Sequence, residues 1–188
     1  MGVEAALRAG HYRCSACGRG QLRPWGFARR RRLRDRGREV FLRPRRCRCA
    51  SCHVTHVLLS NVAFLRRRDL AEVIGEALLA RFMDGVSRAA VARRAGVHAD
   101  TVRGWFRSFA RRAEEIRVVF GALAHGLDPM LAPIAPRGFA PLEALEAIGV
   151  AAAAARRQLG PAPLWSFVSG ATGGLLLSNT NRPLPLWR

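Results

Sequence analysis

The residues with the clearest chemistry are five cysteines, all lying between Cys14 and Cys52. Their spacing is Cys14-x2-Cys17, then 31 residues, then Cys49-x2-Cys52. A CxxC turn places two thiolates about one metal without strain, and two such turns make the tetrahedral four-sulfur set that zinc prefers. An odd, clustered set of cysteines in a chain with no export signal reads as metal ligands before disulfides. Cys47 is a fifth thiol: Cys47-x-Cys49 could stand as the second pair, and His53 and His56 are further candidate ligands. Cys49 and Cys52 are the preferred pair because their spacing repeats that of Cys14 and Cys17. The ligand set is therefore Cys14, Cys17, Cys49 and Cys52, holding one structural Zn2+.

The elements that must position these thiols read as strands: 26–34, a turn at Asp35-Arg36-Gly37, 38–48, and 54–59. Two knuckles on a small antiparallel sheet constitute a zinc ribbon. So small a module has little core, and the metal would supply on the order of 10 kcal/mol or more of its folding free energy.

The whole chain has 188 residues, a mass of 20.7 kDa, 49% hydrophobic residues and a mean hydropathy near zero, which suffices for one ordinary domain or two small ones. Its net charge is +19 and its pI about 11.8. All 32 basic residues are arginine, which in an Ala-rich chain reflects in part a GC-rich genome. Codon bias does not explain the scarcity of acids. Residues 1–68 hold 18 arginines against Glu4, Asp35 and Glu39, a net +15, whereas 69–117 and 118–188 carry +2 each. Such a segment points to a polyanionic partner and speaks against an acidic or neutral metabolic enzyme. No secretory leader and no run of 18 apolar residues occurs, so the expectation is a cytoplasmic, nucleoid-associated protein without a membrane partner.

Within the basic segment, Arg29–Arg32 and the runs near Arg34, Arg45 and Arg66 form a broad charged surface, in which Arg30 and Arg31 are expected to contact phosphates. Trp25, Phe27 and Phe41 are interleaved with them. Trp25 and Phe41 are expected to be core of the small sheet rather than stacking platforms.

Residues 69–115 change to a helical period. Asp69 is expected to cap a helix ending near Phe82, with Leu70, Ile74, Leu78 and Phe82 on its inner face. Ser87 can cap a second, short helix, 88–95. Gly96 then permits a left-handed turn, and a third helix runs from Ala99 to about Glu115, with Val102, Trp105 or Phe106, Phe109 and Ala113 inward. "SRAAVARRAGVHADTVRGWF" resembles the helix-turn-helix of bacterial regulators and of transposase N-terminal regions. That resemblance makes 99–111 the recognition helix and puts Ala99, Asp100, Thr101, Arg103, Gly104 and Arg107 against duplex DNA. His98 is expected at the cap.

Residues 118–188 are Ala-, Leu- and Pro-rich. A short helix and a Pro-broken linker are expected over 118–135, then a helix over 141–159 with Leu142, Leu145, Ile148 and Ala152 on a narrow stripe. That stripe could dock on the helical module or pair with a second chain, leaving a homodimer open. Trp165, Phe167, Leu175–Leu177 and Trp187 are expected to pack.

The order "CSACGRGQLRPWG", "CASCHVTHVLL", "RRRDLAEVIGEALL", the two-helix stretch and a tail with "SNTNRP" resembles a family of uncharacterised high-GC bacterial proteins that pair a zinc ribbon with a helix-turn-helix. The knuckles also look like the zinc-binding N-terminal regions of insertion-sequence transposases. The resemblance implies DNA binding and the same four cysteines as ligands.

The expected fold class is α+β: a zinc-ribbon β-sheet over 1–65, an all-α helix-turn-helix domain over 66–117 and a helical, Pro/Gly-interrupted region over 118–188. The expected function is that of a zinc-containing DNA-binding protein, transcription regulator-like or mobile-element-derived, and not an enzyme. Two alternatives stand beside it. A transposase or its remnant would need three carboxylates, and only Asp128, Glu143 and Glu146 follow residue 117. An RNA- or ribosome-associated zinc ribbon would use the helices as a protein interface.

Overall fold

The computed structural model describes residues 3–179, 183 and 184. The fold is α+β. A short helix α1 (Val3–Arg8) precedes five strands, β1 (Leu22–Phe27), β2 (Arg31–Asp35), β3 (Arg38–Leu42), β4 (Arg45–Cys49) and β5 (Thr55–Leu58). Six helices follow: α2 (Ala71–Phe82), α3 (Arg88–Ala95), α4 (Ala99–Arg111), α5 (Ala113–Leu127), α6 (Ala140–Leu159) and α7 (Leu164–Ala171). The chain forms two compact units, Met1–Arg32 with Val40–Ser60, and Leu33–Glu39 with Asn61–Arg188.

In the first unit, β1, β4 and β5 make an antiparallel sheet in the order β1-β4-β5. The two long strands expected between the knuckles are each broken. Pro44, which lacks an amide proton, interrupts 38–48, and its carbonyl accepts instead from the Ala28 amide at 2.8 Å. The pieces 31–35 and 38–42 pair as a separate hairpin. Its turn has Arg36 at φ 46° and Gly37 at φ 85°, the two positive values that a tight hairpin turn favours. Pro24 sits on the edge strand β1, where a missing donor is tolerated, and the ladder shifts register between Pro24 and Phe27. The α1 helix, which no periodicity announced, buries Leu7 against Cys14, Leu22, Cys47 and Cys49.

The hairpin tip, 33–39, belongs to the second unit. Arg34 holds Asp69 through two bonds of 2.9 Å, Nε to Oδ1 and Nη2 to Oδ2. The Leu70 amide donates to the Arg34 carbonyl at 3.0 Å. Asp69 does not cap α2 as its position predicts; Leu70 occupies the cap position without a side-chain bond. A carboxylate buried this deeply requires a charged, forked partner, and Arg34 outcompetes the helix amides for it.

The second unit has one core. Ser87 caps α3, its Oγ accepting from the Ala90 amide at 3.3 Å. Val102, Trp105, Phe109 and Ala113 are buried as their spacing requires, while Phe106 is half-buried and meets Phe82 edge-on at 5.5 Å. The third helix does not run to Glu115. It ends at Arg111, and α5 starts at Ala113. The break falls at Arg112, whose buried guanidinium donates to the Leu175 carbonyl at 2.6 Å and to Glu115 at 2.8 and 3.0 Å.

Residues 66–117 and 118–188 therefore do not form separate modules. Helix α6 packs on α5, and α7 on α2 and α6; of the stripe expected on α6, Leu145 and Ile148 are buried within the chain, while Leu142 and Ala152 are half-buried. Its buried face is wider than expected and largely alanine: Ala144, Ala147, Ala151, Ala154 and Ala155 join Leu145 and Ile148. The packing role expected of Trp187 falls outside the described residues. Among the described residues, no helix is long and apolar enough to cross a membrane.

Candidate metal centre and nucleic-acid interface

Cys49 ends β4, and Cys14 and Cys17 lie in the turn that leads into β1. Leu22 faces Cys49 across the ladder, so pairing of β1 with β4 brings the two CxxC turns together. The four sulfurs of Cys14, Cys17, Cys49 and Cys52 all lie within 4.8 Å of one another. Cys14 Sγ is 3.6 Å from Cys52 Sγ, and Cys17 Sγ is 3.7 Å from Cys49 Sγ. A metal–sulfur bond of about 2.3 Å in a regular tetrahedron separates the sulfurs by about 3.8 Å. The set can hold one metal ion, and all-thiolate donors in this geometry suit zinc.

The backbone prepares these sulfurs for negative charge. The Gly20 amide donates to Cys17 Sγ at 3.4 Å, and the Ser51 and Cys52 amides donate to Cys49 Sγ at 3.3 and 3.4 Å. Those bonds lower the Cys17 thiol to about 6, the Gly20 amide being the largest cause and the Arg19 amide the next. Cys49 is lowered as well, first by the Cys52 amide. The Val54 amide pulls Cys52 down, yet burial and the three neighbouring sulfurs push it up to about 12. Four adjacent sulfurs cannot all ionise without a cation among them. Gly20 is required by space: a Cβ there would stand 2.2 Å from Cys49 Sγ.

Cys47 lies outside the four-sulfur group. It is fully buried beside Leu7 and Leu22, and burial raises its pKa, so it behaves as a small apolar side chain. Of the two histidines considered as ligands, His53 is exposed in a left-handed conformation with φ 60°. His56 is a neighbour of the cluster: its Nε2 lies 3.2 Å from Cys14 Sγ, a hydrogen-bonding distance. That contact depends on the register that sets His56 opposite Cys47, and the sequence carries no signal for it.

No family model, curated protein or solved structure matches the chain.

In the second unit, α3 and α4 are joined by a short turn in which Gly96 adopts φ 65°, ψ 35°. His98 Nδ1 then accepts from the Asp100 amide at 3.3 Å and caps α4, as expected of it. Of the residues assigned to DNA, Asp100, Arg103 and Arg107 are exposed along α4, while Ala99, Thr101 and Gly104 are half-buried. Arg103 reaches back to Asp100 at 3.1 Å. A Cβ on Gly104 would meet no atom within 4 Å, so no intramolecular contact accounts for that glycine. Arg30 and Arg31 are exposed on the first unit.

Gly96 is also where the hairpin tip approaches: a Cβ there would stand 2.8 Å from the backbone carbon of Arg36. Gly96→Ala is expected to cost more than the ~1–2 kcal/mol of a left-handed non-glycine residue, because backbone cannot yield as a flexible side chain does. Urea unfolding of the variant would measure the loss.

A further expectation is overturned. Trp25 and Phe41 are not core: they are 52% and 49% exposed, and Phe27 is 48% exposed. The sheet is too thin to cover aromatic rings on both faces. Arginines pack on them instead, Arg48 over Trp25 at 4.9 Å, Arg30 over Phe41 at 3.8 Å, and Arg43 and Arg45 over Phe27 at 4.9 and 4.6 Å.

The three acids of the C-terminal third are engaged in structural contacts. Asp128 pairs with Arg157 at 2.7 Å and Glu146 with Arg137 at 2.8 Å. Glu143 Oε1 accepts from the Arg137 and Gly138 amides at 2.6 and 2.9 Å, closing the loop before α6.

Proposed function

We propose that this chain is a zinc-containing DNA-binding protein, regulator-like or derived from a mobile element, that reads duplex DNA through α3 and α4 acting as a helix-turn-helix. The observation that carries this reading is the α3–α4 pair itself. A left-handed glycine joins the two helices, and α4 buries Val102, Trp105 and Phe109 while Asp100, Arg103 and Arg107 remain exposed on it. Such a helix can lie in a major groove, its first turns against base edges. The cysteine-bearing unit holds the zinc and contributes cations for the phosphate backbone.

The ion pair of Arg103 with Asp100 bears on the reading. It holds the guanidinium over the first turn of α4, where a planar fork can bond both guanine O6 and N7, worth ~1–3 kcal/mol of discrimination. Arg103→Ala is expected to flatten the preference for one duplex over its mutated versions, with a modest loss of non-specific affinity. Replacing Arg30 and Arg31 by alanine is expected to weaken all duplexes alike and to reduce the dependence on salt. For the parent protein, engagement of about six phosphates implies a log–log slope of affinity against salt near −5. Binding-site selection and salt titration on the three proteins test this division of labour. A selected motif that changes with Arg30 and Arg31 but not with Arg103 would invert it.

A further inference from the structure

The ladder registers of the first unit define two faces of its sheet. Cys47 and Cys49 point to the buried, metal side, so Arg46 and Arg48, which alternate with them on β4, point to the other. Arg23 is the ladder partner of Arg48 on β1; Thr55 is the partner of Arg48, and Val57 of Arg46, on β5. Trp25 lies under the Arg48 guanidinium on that same face. The outer face is therefore Arg23, Trp25, Arg46, Arg48, Thr55 and Val57.

Three properties of this face converge. It is open: Trp25 and Val57 are each 52% exposed, although nothing about β-strands favours leaving a tryptophan in water. It is uniformly cationic: the acids of residues 1–68 are Glu4, Asp35 and Glu39, none of them on this sheet, and Glu4 is paired with Arg45 at 2.8 Å. Its aromatic ring is held in place. The Arg48 Nε donates to the His53 carbonyl at 3.2 Å, which fixes the guanidinium that backs the indole. Arg23 is steadied in turn by Gln21 Oε1 at 3.3 Å.

We propose that this outer face binds unpaired nucleobases, stacking them on Trp25 while Arg23, Arg46 and Arg48 take the adjoining phosphates. An open sheet with a backed aromatic and flanking arginines offers a π-face to any base and a cationic track to the backbone. Duplex DNA cannot use it in the same way, because its bases are already stacked on one another. The site is distinct from α4, and its ligand is single-stranded DNA or RNA. The second exposed pair, Phe41 on β3 with Arg30 just before β2, offers the same chemistry.

The test uses the full-length, metal-loaded protein and three fluorescent 15-mers: dT15, rU15 and an abasic deoxyribose-phosphate strand of equal length and charge. Stacking makes dT15 or rU15 bind at least about 10-fold more tightly than the abasic strand. Tighter binding of rU15 than dT15, or the reverse, supports the proposal equally and identifies which nucleic acid is the natural one. Trp25→Leu, checked for unchanged metal content, should remove most of that advantage, and Trp25→Phe should restore part of it. In a Trp187→Phe background, binding should also quench fluorescence when Trp25 is present and not in Trp25→Leu, since the two remaining tryptophans, Trp105 and Trp165, are buried. Arg103→Ala, which tests duplex reading, should leave the preference for dT15 over the abasic strand unchanged, so the two sites stand or fall separately. Equal affinity for dT15, rU15 and the abasic strand would overturn the proposal, as would a Trp25→Leu protein that binds dT15 as the parent does.

Discussion

Cys49→Ser is expected to strip the metal and unfold the cysteine-bearing unit, whereas Cys47→Ser is expected to keep one metal ion per chain. Both residues are fully buried and both lie on β4, two positions apart. Only Cys49 belongs to the four-sulfur group and receives amide bonds at its sulfur. The apolar cluster of that unit is little more than Leu7, Leu22 and the cysteines themselves, so a metal held by the four sulfurs would supply much of its stability, on the order of 10 kcal/mol or more. Cys47→Ser should cost only the burial of a hydroxyl, about 1–3 kcal/mol. Metal analysis and circular dichroism of the two variants decide the matter. Metal lost from Cys47→Ser and kept by Cys49→Ser would reassign the ligands.

The same site sets a pH dependence. At neutral pH Cys17 is lowered to about 6 and is ionised, while Cys52, raised to about 12, keeps its proton in the metal-free protein. Metal entry must therefore expel protons. The metal-free state binds more protons than the loaded one, so affinity rises with pH and falls as the solution is acidified. A competition titration with a chelator at several pH values would show the trend.

The second large effect is expected at Gly75, in the middle of α2. A glycine inside a helix ordinarily costs ~1 kcal/mol relative to alanine, and Gly75→Ala would then be stabilising. Here a Cβ would stand 1.9 Å from two ring atoms of Trp165 and 2.2 Å from its Nε1. Trp165 is fully buried at the start of α7, and so cannot swing away. Gly75→Ala should therefore destabilise the helical unit by about 1–3 kcal/mol or more through overpacking. In a Trp165→Leu background, itself destabilised, the same change should be close to neutral, and urea unfolding of the four proteins gives the coupling. A Gly75→Ala protein as stable as the parent would mean that α7 does not pack on α2 as described.

Much of the site was legible in the sequence because it depends on short-range order. A CxxC turn constrains two sulfurs within four residues, and four such sulfurs have few ways to converge except on one metal. The same holds for α3 and α4. Ser87, Gly96 and His98 each act on backbone within a few residues of themselves, and Val102, Trp105 and Phe109 lie on one side of a helix by its period alone. These features follow from local geometry, whatever surrounds them.

Tertiary structure decided what depends on partners distant in sequence. Asp69 could cap α2 by local chemistry, yet it is held by Arg34, 35 residues earlier, because a buried carboxylate favours a fixed guanidinium. Cys47 and Cys49 stand two positions apart with only the CxxC spacing to favour Cys49, and the ladder that sets Leu22 opposite Cys49 and Pro24 opposite Cys47 leaves Cys49 in the four-sulfur group and Cys47 as filler. The alanines of α6 show no strong stripe, because small residues reveal their face only when another helix packs closely on them, as α5 does. Trp25 and Phe41 look like core in a list of residues. In a sheet too small to cover both its faces they are surface, and which face of a thin sheet stays open is decided by where its cysteines gather.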